Sequence, residues 1–216
     1  MRQFRLLFVL KLSVIIVSFL FIGGCSTVNQ PTTPLSTTNK TNNAAWQQRK
    51  AVLARKNTWN LKSKIGLSYQ EDYWQFGLNW AQQASGQYTM QINNPLTGAV
   101  VAKLLQNRQG ATLLANDGKT YRSRNAEQLL QAQSGLKMPL DGMQHWVKGI
   151  SAPQYKVDKL VLDNYGRPRF IQQAGWLIQY SAYQGNTSTA LPTKIILKRV
   201  KDNVNVKLIA KQWQGI

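Results

Sequence analysis

From residue 59 onward, large apolar side chains recur at alternate positions. Trp59, Leu61, Ile65 and Leu67 alternate with Asn60, Lys62, Lys64 and Gly66. Trp74, Phe76, Leu78 and Trp80 alternate with Gln75, Gly77 and Asn79, and Tyr88, Met90 and Ile92 with Gln87, Thr89 and Gln91. A period of two sets one side of each strand against something apolar and the other in water. Turn signals punctuate the runs at Gln70-Glu71-Asp72, Ala84-Ser85-Gly86, Asn93-Asn94-Pro95, 107–110 and Asp117-Gly118, the last a strong tight-hairpin signal. Further strands are predicted at 99–106, 111–116, 119–123, 155–163, 168–173, 175–183, 192–200 and 203–213.

Three stretches break this rhythm. Residues 44–57 are helix formers with apolar side chains at 45, 46, 52 and 53 and read as a short basic helix. Residues 125–134 form a second, stopped by Gly135, and 140–148 a third, ended by Gly149. About eleven strands joined mostly as a meander predict a mainly β fold: an incomplete, half-open antiparallel barrel whose open face is covered by a helical lid. At period two a large apolar stripe most often means an ordinary core. Neither periodicity nor composition separates a filled core from a ligand cavity.

The N-terminus has a different organisation. Residues 1–11 carry Arg2, Arg5 and Lys11 and no acid, and 12–22 are apolar except for two serines. A positive segment followed by a short apolar one is the layout of a secretory signal. The run is shorter than the ~20 residues that span a bilayer. It closes on Ile22-Gly23-Gly24-Cys25, which resembles the lipobox of bacterial lipoproteins. That resemblance implies cleavage after Gly24 and acyl chains on Cys25, the chain's only cysteine, which therefore has no disulfide partner within the chain. Each buried methylene adds ~0.8 kcal/mol to such an anchor. Ser26 stands where an Asp is associated with retention at the inner membrane, and so favours the outer one. Residues 26–43 are rich in Ser, Thr, Asn and Pro and read as a flexible tether. The expected organisation is a signal peptide at 1–24, lipidated cysteine and tether at 25–43, and one folded domain at 44–216.

Charge narrows the partners. The chain has 27 basic and 8 acidic side chains, a formal +19, and +16 remains without the three signal cations. Such a balance suits anionic partners or is simply a solvated basic surface. An envelope location favours phospholipid head groups or an acidic protein over nucleic acid. Catalytic chemistry is sparse. His145 is the only histidine, no Gly-x-Ser-x-Gly elbow accompanies it, Glu71-Asp72 sits in a turn, and metal-ligand spacing is absent. No nucleotide motif is present and no cofactor is expected. These observations point away from an enzyme.

From Trp46 to Trp213 the chain resembles the LolB family of outer-membrane lipoprotein receptors. The resemblance is carried by Trp59-Asn60-Leu61 with Lys64-Ile65, by Trp74 to Trp80, and by the loop Asn94-Pro95-Leu96-Thr97-Gly98. It continues in Met138-Pro139-Leu140, Met143 and Trp146-Val147-Lys148-Gly149, then Gly175-Trp176, Tyr180, Leu191-Pro192 and Trp213. Lys64 stands where an arginine is common, Met143 replaces a leucine, and Thr97 is inserted or substituted in the loop. The resemblance implies a receptor that takes the acyl chains of other lipoproteins from the periplasmic carrier LolA. It then inserts them into the inner leaflet of the outer membrane, acting as a monomer anchored there with its folded domain in the periplasm. Acyl chains cannot cross water unshielded, so an apolar cleft must enclose them. Trp59, Trp74, Phe76, Leu78, Trp80, Tyr88, Met90 and Ile92 are expected to line its sheet side. Met138, Leu140, Met143, Trp146 and Val147 are expected to line its lid side, methionine suiting a cavity that must repack. Trp176 and Trp213 read as core. Pro95 and Leu96 are expected to form a membrane-insertion loop. The rival readings are an envelope lipoprotein for another lipid or hydrophobic ligand, and a hydrolase built on His145.

Overall fold

A computed structural model describes residues 40–216; the expected signal peptide, Cys25 and most of the tether lie outside these residues. Helix α1 (Lys40–Ala54) leads into β1 (Trp59–Tyr69), β2 (Asp72–Ala84), β3 (Gln87–Asn93), β4 (Val100–Asn107), β5 (Gly110–Ala115) and β6 (Thr120–Ser123). Helices α2 (Ala126–Ser134) and α3 (Leu140–Trp146) follow. Then come β7 (Val157–Leu162), β8 (Pro168–Gln173), β9 (Trp176–Tyr183), β10 (Pro192–Arg199) and β11 (Val204–Gln214). A single 3₁₀ turn at Val200–Asp202 joins the last two strands.

The eleven strands form one antiparallel sheet in the order β6-β5-β4-β3-β2-β1-β11-β10-β9-β8-β7. Its two meanders join where β1 meets β11, and β6 and β7 are its open edges. The link between these edges, residues 124–156, carries α2 and α3 from one edge to the other. Crossing the inner face is what puts the helices over the apolar side.

The alternation in the sequence is the burial pattern of the strands. In β1, Trp59, Leu61, Ser63 and Ile65 are buried and Asn60, Lys62 and Lys64 exposed. In β10, Ile195 and Leu197 are buried, and in β11, Val204, Val206 and Leu208.

The helices follow from their ends. Asn125 caps α2 by accepting a hydrogen bond from the Gln128 amide, and Gly135 (φ +72°) ends it in the left-handed conformation. Helix α1 begins at Lys40, inside the expected tether, and stops at Ala54 rather than 57. Once Trp46, Arg49 and Leu53 are buried on one face, propagating the helix into polar residues costs little. Its C-terminal end is met by Lys148, whose Nζ donates to the carbonyls of Leu53 and Lys56, each at 3.0 Å. Helix α3 ends two residues before the expected limit, and Gly149 follows at φ +71°.

The apolar cavity and its exposed rim

Direct pairing stacks the inward side chains of β1 to β4 and β11. Leu67 lies opposite Trp74, Ile65 opposite Phe76, and Leu61 opposite Trp80. Leu78 pairs with Ile92 and Trp80 with Met90, Met90 with Leu104, and Leu67 with Val206. Opposite this floor stand Leu130 and Ser134 of α2, Leu136 and Met138 of the following link, and Leu140 and Met143 of α3. Between their points of attachment, floor and cover stand apart. They enclose a cavity of about 390 Å³, within the usual range of small-ligand sites, roughly 300–1,000 Å³.

Three polar side-chain atoms of the lining are turned to partners in the protein. The Ser134 hydroxyl donates to the Leu130 carbonyl (2.7 Å), the Tyr69 hydroxyl to the Gly135 carbonyl (3.2 Å), and Trp80 Nε1 to Gln82 Oε1 (3.0 Å). What remains facing the space is hydrocarbon and aromatic ring. No charged side chain lines it, so the site offers nothing to a polar ligand and favours an apolar one by hydrophobic transfer.

The cavity has a closed and an open end. At the closed end Trp80 is buried against Trp59 (ring centroids 5.2 Å) and Tyr88 (5.8 Å), with Trp213 behind Trp59 at 5.4 Å. At the open end Trp74 is 44 % exposed. Nine of the thirteen expected lining residues reach the space: Trp74, Phe76, Leu78, Trp80, Met90 and Ile92 on the sheet side, Met138, Leu140 and Met143 on the helical side. Four do not. Trp59 and Tyr88 are buried behind Trp80 as its plug. Trp146 and Val147 are buried in the other half of the molecule. There Trp146 packs against Trp176 (6.3 Å) and donates from Nε1 to Gln173 Oε1 (2.9 Å). Period two reports the inward face, and it cannot tell a residue bordering a space from one a layer behind it. The floor of β1, Leu104 and Val206 were missed for the same reason, whereas Leu130 and Leu136 lie on the helical cover, where period two gives no signal.

Beyond the open end the sheet carries an exposed apolar rim. By register, the β1–β2 hairpin, the 94–99 loop, the first residues of β4 and the Val200–Asp202 turn all lie at this end. Tyr73, Trp74, Val100, Val101, Leu96 and Val200 are exposed there. Leu96, at 93 %, is not on a loose loop. Asn94 Oδ1 accepts from the amides of Leu96 (2.9 Å) and Thr97 (3.1 Å), while Asn94 N donates to Ala99 O (2.8 Å) and Gly98 N to Asn94 O (3.0 Å). This Asx turn holds the tip rigid, with Gly98 at φ +74° closing it.

The cover is fastened unequally. At the C-terminal end of α3, Tyr180 donates to the Trp146 carbonyl (2.9 Å). Arg49 Nε donates to Gly149 O (2.8 Å), Nη2 to Lys148 O (2.7 Å), and Nη1 to Ser188 O (2.6 Å) and Ala190 O (2.8 Å). Arg49 is fully buried, and burial pulls its pKa below the usual arginine range. A Cβ on Gly149 would stand 2.6 Å from Arg49 Nη2, so glycine is required there by contact as well as by φ. Helix α2 and its links are held by fewer and more exposed bonds: Ala126 N to Gln106 Oε1 (2.7 Å), Asp141 N to Glu127 Oε1 (3.1 Å), and the Tyr69 bond to Gly135.

His145 does not line the cavity. Burial, and secondly Lys148, push its pKa down to about 4, so the ring is neutral. Its Nδ1 is buried without a hydrogen-bond partner among the described residues.

An open antiparallel sheet cupped round an apolar cavity, with helices across the open face, is built to hold a hydrophobic ligand. Solved structures share the architecture. One is a LolA superfamily protein of Nitrosomonas europaea, with a TM-score of 0.50 at 10 % identity, covering 79 % of this chain and 91 % of that one. Another is a DUF1329 family protein of Desulfovibrio piger, with a TM-score of 0.53 at 7 % identity, covering 83 % and 93 %. The family model for the outer membrane lipoprotein LolB matches residues 57–213. An outer-membrane lipoprotein LolB of Nitrosococcus oceani is 30 % identical over 204 residues, 94 % of this chain and 97 % of that one. Its counterpart in Pseudomonas syringae is 32 % identical over 173 residues, 79 % and 81 %. The chain belongs to the LolB family of outer-membrane lipoproteins.

Proposed function

We propose that this chain is the outer-membrane receptor of lipoprotein sorting. It takes the acyl chains of a lipoprotein from the soluble carrier LolA into the cavity under α2 and α3, and releases them into the inner leaflet of the outer membrane. Residues 1–24 are its signal peptide, acylated Cys25 its anchor and the segment to about residue 43 its tether, with the folded domain on the periplasmic side. Trp74, Phe76, Leu78, Trp80, Met90 and Ile92 receive the chains from the sheet side, and Met138, Leu140 and Met143 from the cover. The rigid Pro95-Leu96 tip enters the bilayer. No bond is made or broken, so the protein is a receptor and not an enzyme.

The observation that carries this reading is the cavity lined by hydrocarbon and aromatic rings, its hydroxyls bonded back to the protein. Such a space takes a long apolar chain and binds no polar substrate. Transfer needs no energy source if each station holds the chains more tightly than the last, since ~1.4 kcal/mol per step already gives a tenfold bias. Another hydrophobic ligand would fit the same walls, but the family of the chain favours lipoprotein cargo. The test is to mix the protein with LolA loaded with a labelled lipoprotein. The label is expected to move to this protein. Retention on the carrier under conditions where a family relative accepts it would overturn the reading.

A further inference from the structure

Across β1, β11 and β10 the outer face of the sheet, turned away from the cavity, carries charge of one sign only. Lys62 and Lys64 of β1 and Lys207 of β11 each stand between buried neighbours, and Lys194 and Lys198 of β10 flank the buried Ile195 and Leu197, so all five point outward. Register places them in rows: Lys64 and Lys194 both lie opposite Ile209, Lys207 lies between Gly66 and Ile196, and Lys198 pairs with Asn205. β1, β10 and β11 contain no acidic residue. Among the described residues, no ion pair engages these lysines. Along a strand, lysines two residues apart are separated by ~7 Å, within a Debye length of about 8 Å at physiological salt, so their potentials add. The strip begins with Lys198 beside the exposed rim at Val200 and runs away from it to Lys62.

We propose that this convex lysine strip is a second membrane-docking surface, one that binds the anionic head groups of a phospholipid bilayer. The inference rests on the receptor reading for why the domain must meet a bilayer at its apolar rim. A bilayer reached by that rim meets Lys198 and then Lys207 next, so a tilted domain buries the rim and lays the strip along the head groups. The strip is on the opposite side of the sheet from the cavity, so a carrier delivering acyl chains to the cavity does not cover it. That separation favours lipid over an acidic carrier as its occupant.

The test uses the chain with Cys25→Ser, which cannot be acylated, and vesicles of phosphatidylcholine with or without phosphatidylglycerol. Co-sedimentation is expected to be much stronger with phosphatidylglycerol, and that excess to weaken as salt rises. Replacing Lys64, Lys194 and Lys207 together by Gln lowers the partition coefficient about fivefold per lysine, on the order of a hundredfold in all. The same three changed to Arg retain it, and a thermal melt of each variant checks folding. Uptake from loaded LolA is unchanged in the Gln variant. Equal binding to both kinds of vesicle, or an unaffected Gln variant, overturns the proposal. Loss of uptake from the carrier with vesicle binding intact overturns it in favour of a protein partner. Failure of the wild-type chain to accept cargo would sink the receptor reading instead, and leaves the vesicle result to be scored alone.

Discussion

An exposed leucine held by the hydrogen bonds of an Asx turn is a side chain offered to something outside the molecule. Because Leu96 touches little of its own protein, Leu96→Glu should change folding stability by no more than ~0.5 kcal/mol. Uptake of cargo should also survive, while delivery to vesicles falls about tenfold or more, the transfer energy of one buried leucine. Equal delivery by mutant and wild type would remove the loop from the mechanism. Arg49 is the opposite case, a cation wholly inside the protein with four backbone carbonyls around it. Arg49→Met leaves those acceptors without a donor and should cost at least ~3 kcal/mol in urea unfolding. His145 carries a pH signature. Its folded pKa of about 4 lies below the usual 6.5, so the unfolded chain binds the extra proton between those values. Stability is therefore expected to fall as pH drops from 6.5 toward 4. His145→Gln should flatten that slope; identical slopes would contradict the burial argument.

At the scale of elements, the two cover helices play different parts. Helix α3 runs into a strap of buried bonds at Trp146, Lys148 and Gly149, whereas α2 is capped at both ends but tied to the sheet by a few exposed or half-buried bonds. A glycine after each helix suggests two hinges in the sequence. The structure leaves one, because Gly149 is locked against Arg49. Opening should therefore swing α2 and the link to Met138 while the end of α3 stays. Hydrogen exchange should find α2 amides exchanging well before those of α3, β9 and β10; uniform protection across both helices would contradict a one-ended lid. Existence and type of every strand and α-helix were legible from period two, period 3.6 and the turn residues; the 3₁₀ turn at Val200–Asp202 was not. The strap was not, since Arg49 reads as one more surface cation of a basic helix. Only the contacts with Ser188 and Ala190, some 140 residues away, reveal it.

For the whole molecule, the sheet acts as a wall between two environments. Its inner side is apolar and holds the cavity, its outer side is cationic, and its exposed hydrophobic side chains gather at the end where the cavity opens. The alternating pattern announced such a wall but not the empty space behind it. Trp59 and Phe76 have the same period and the same chemistry, yet one is plug and the other lining. Volume is decided by how far the helices stand off the sheet, a distance set by residues on several elements at once. The central claim is that acyl chains occupy that space. A photoreactive benzophenone amino acid at Ile92 or Leu130, both on the cavity wall, tests it directly. After uptake of labelled lipoprotein and illumination, both positions should capture the cargo's acyl chains, and the same probe at Lys64 on the outer face should not. Capture at Lys64 in place of Ile92 and Leu130 would contradict the account.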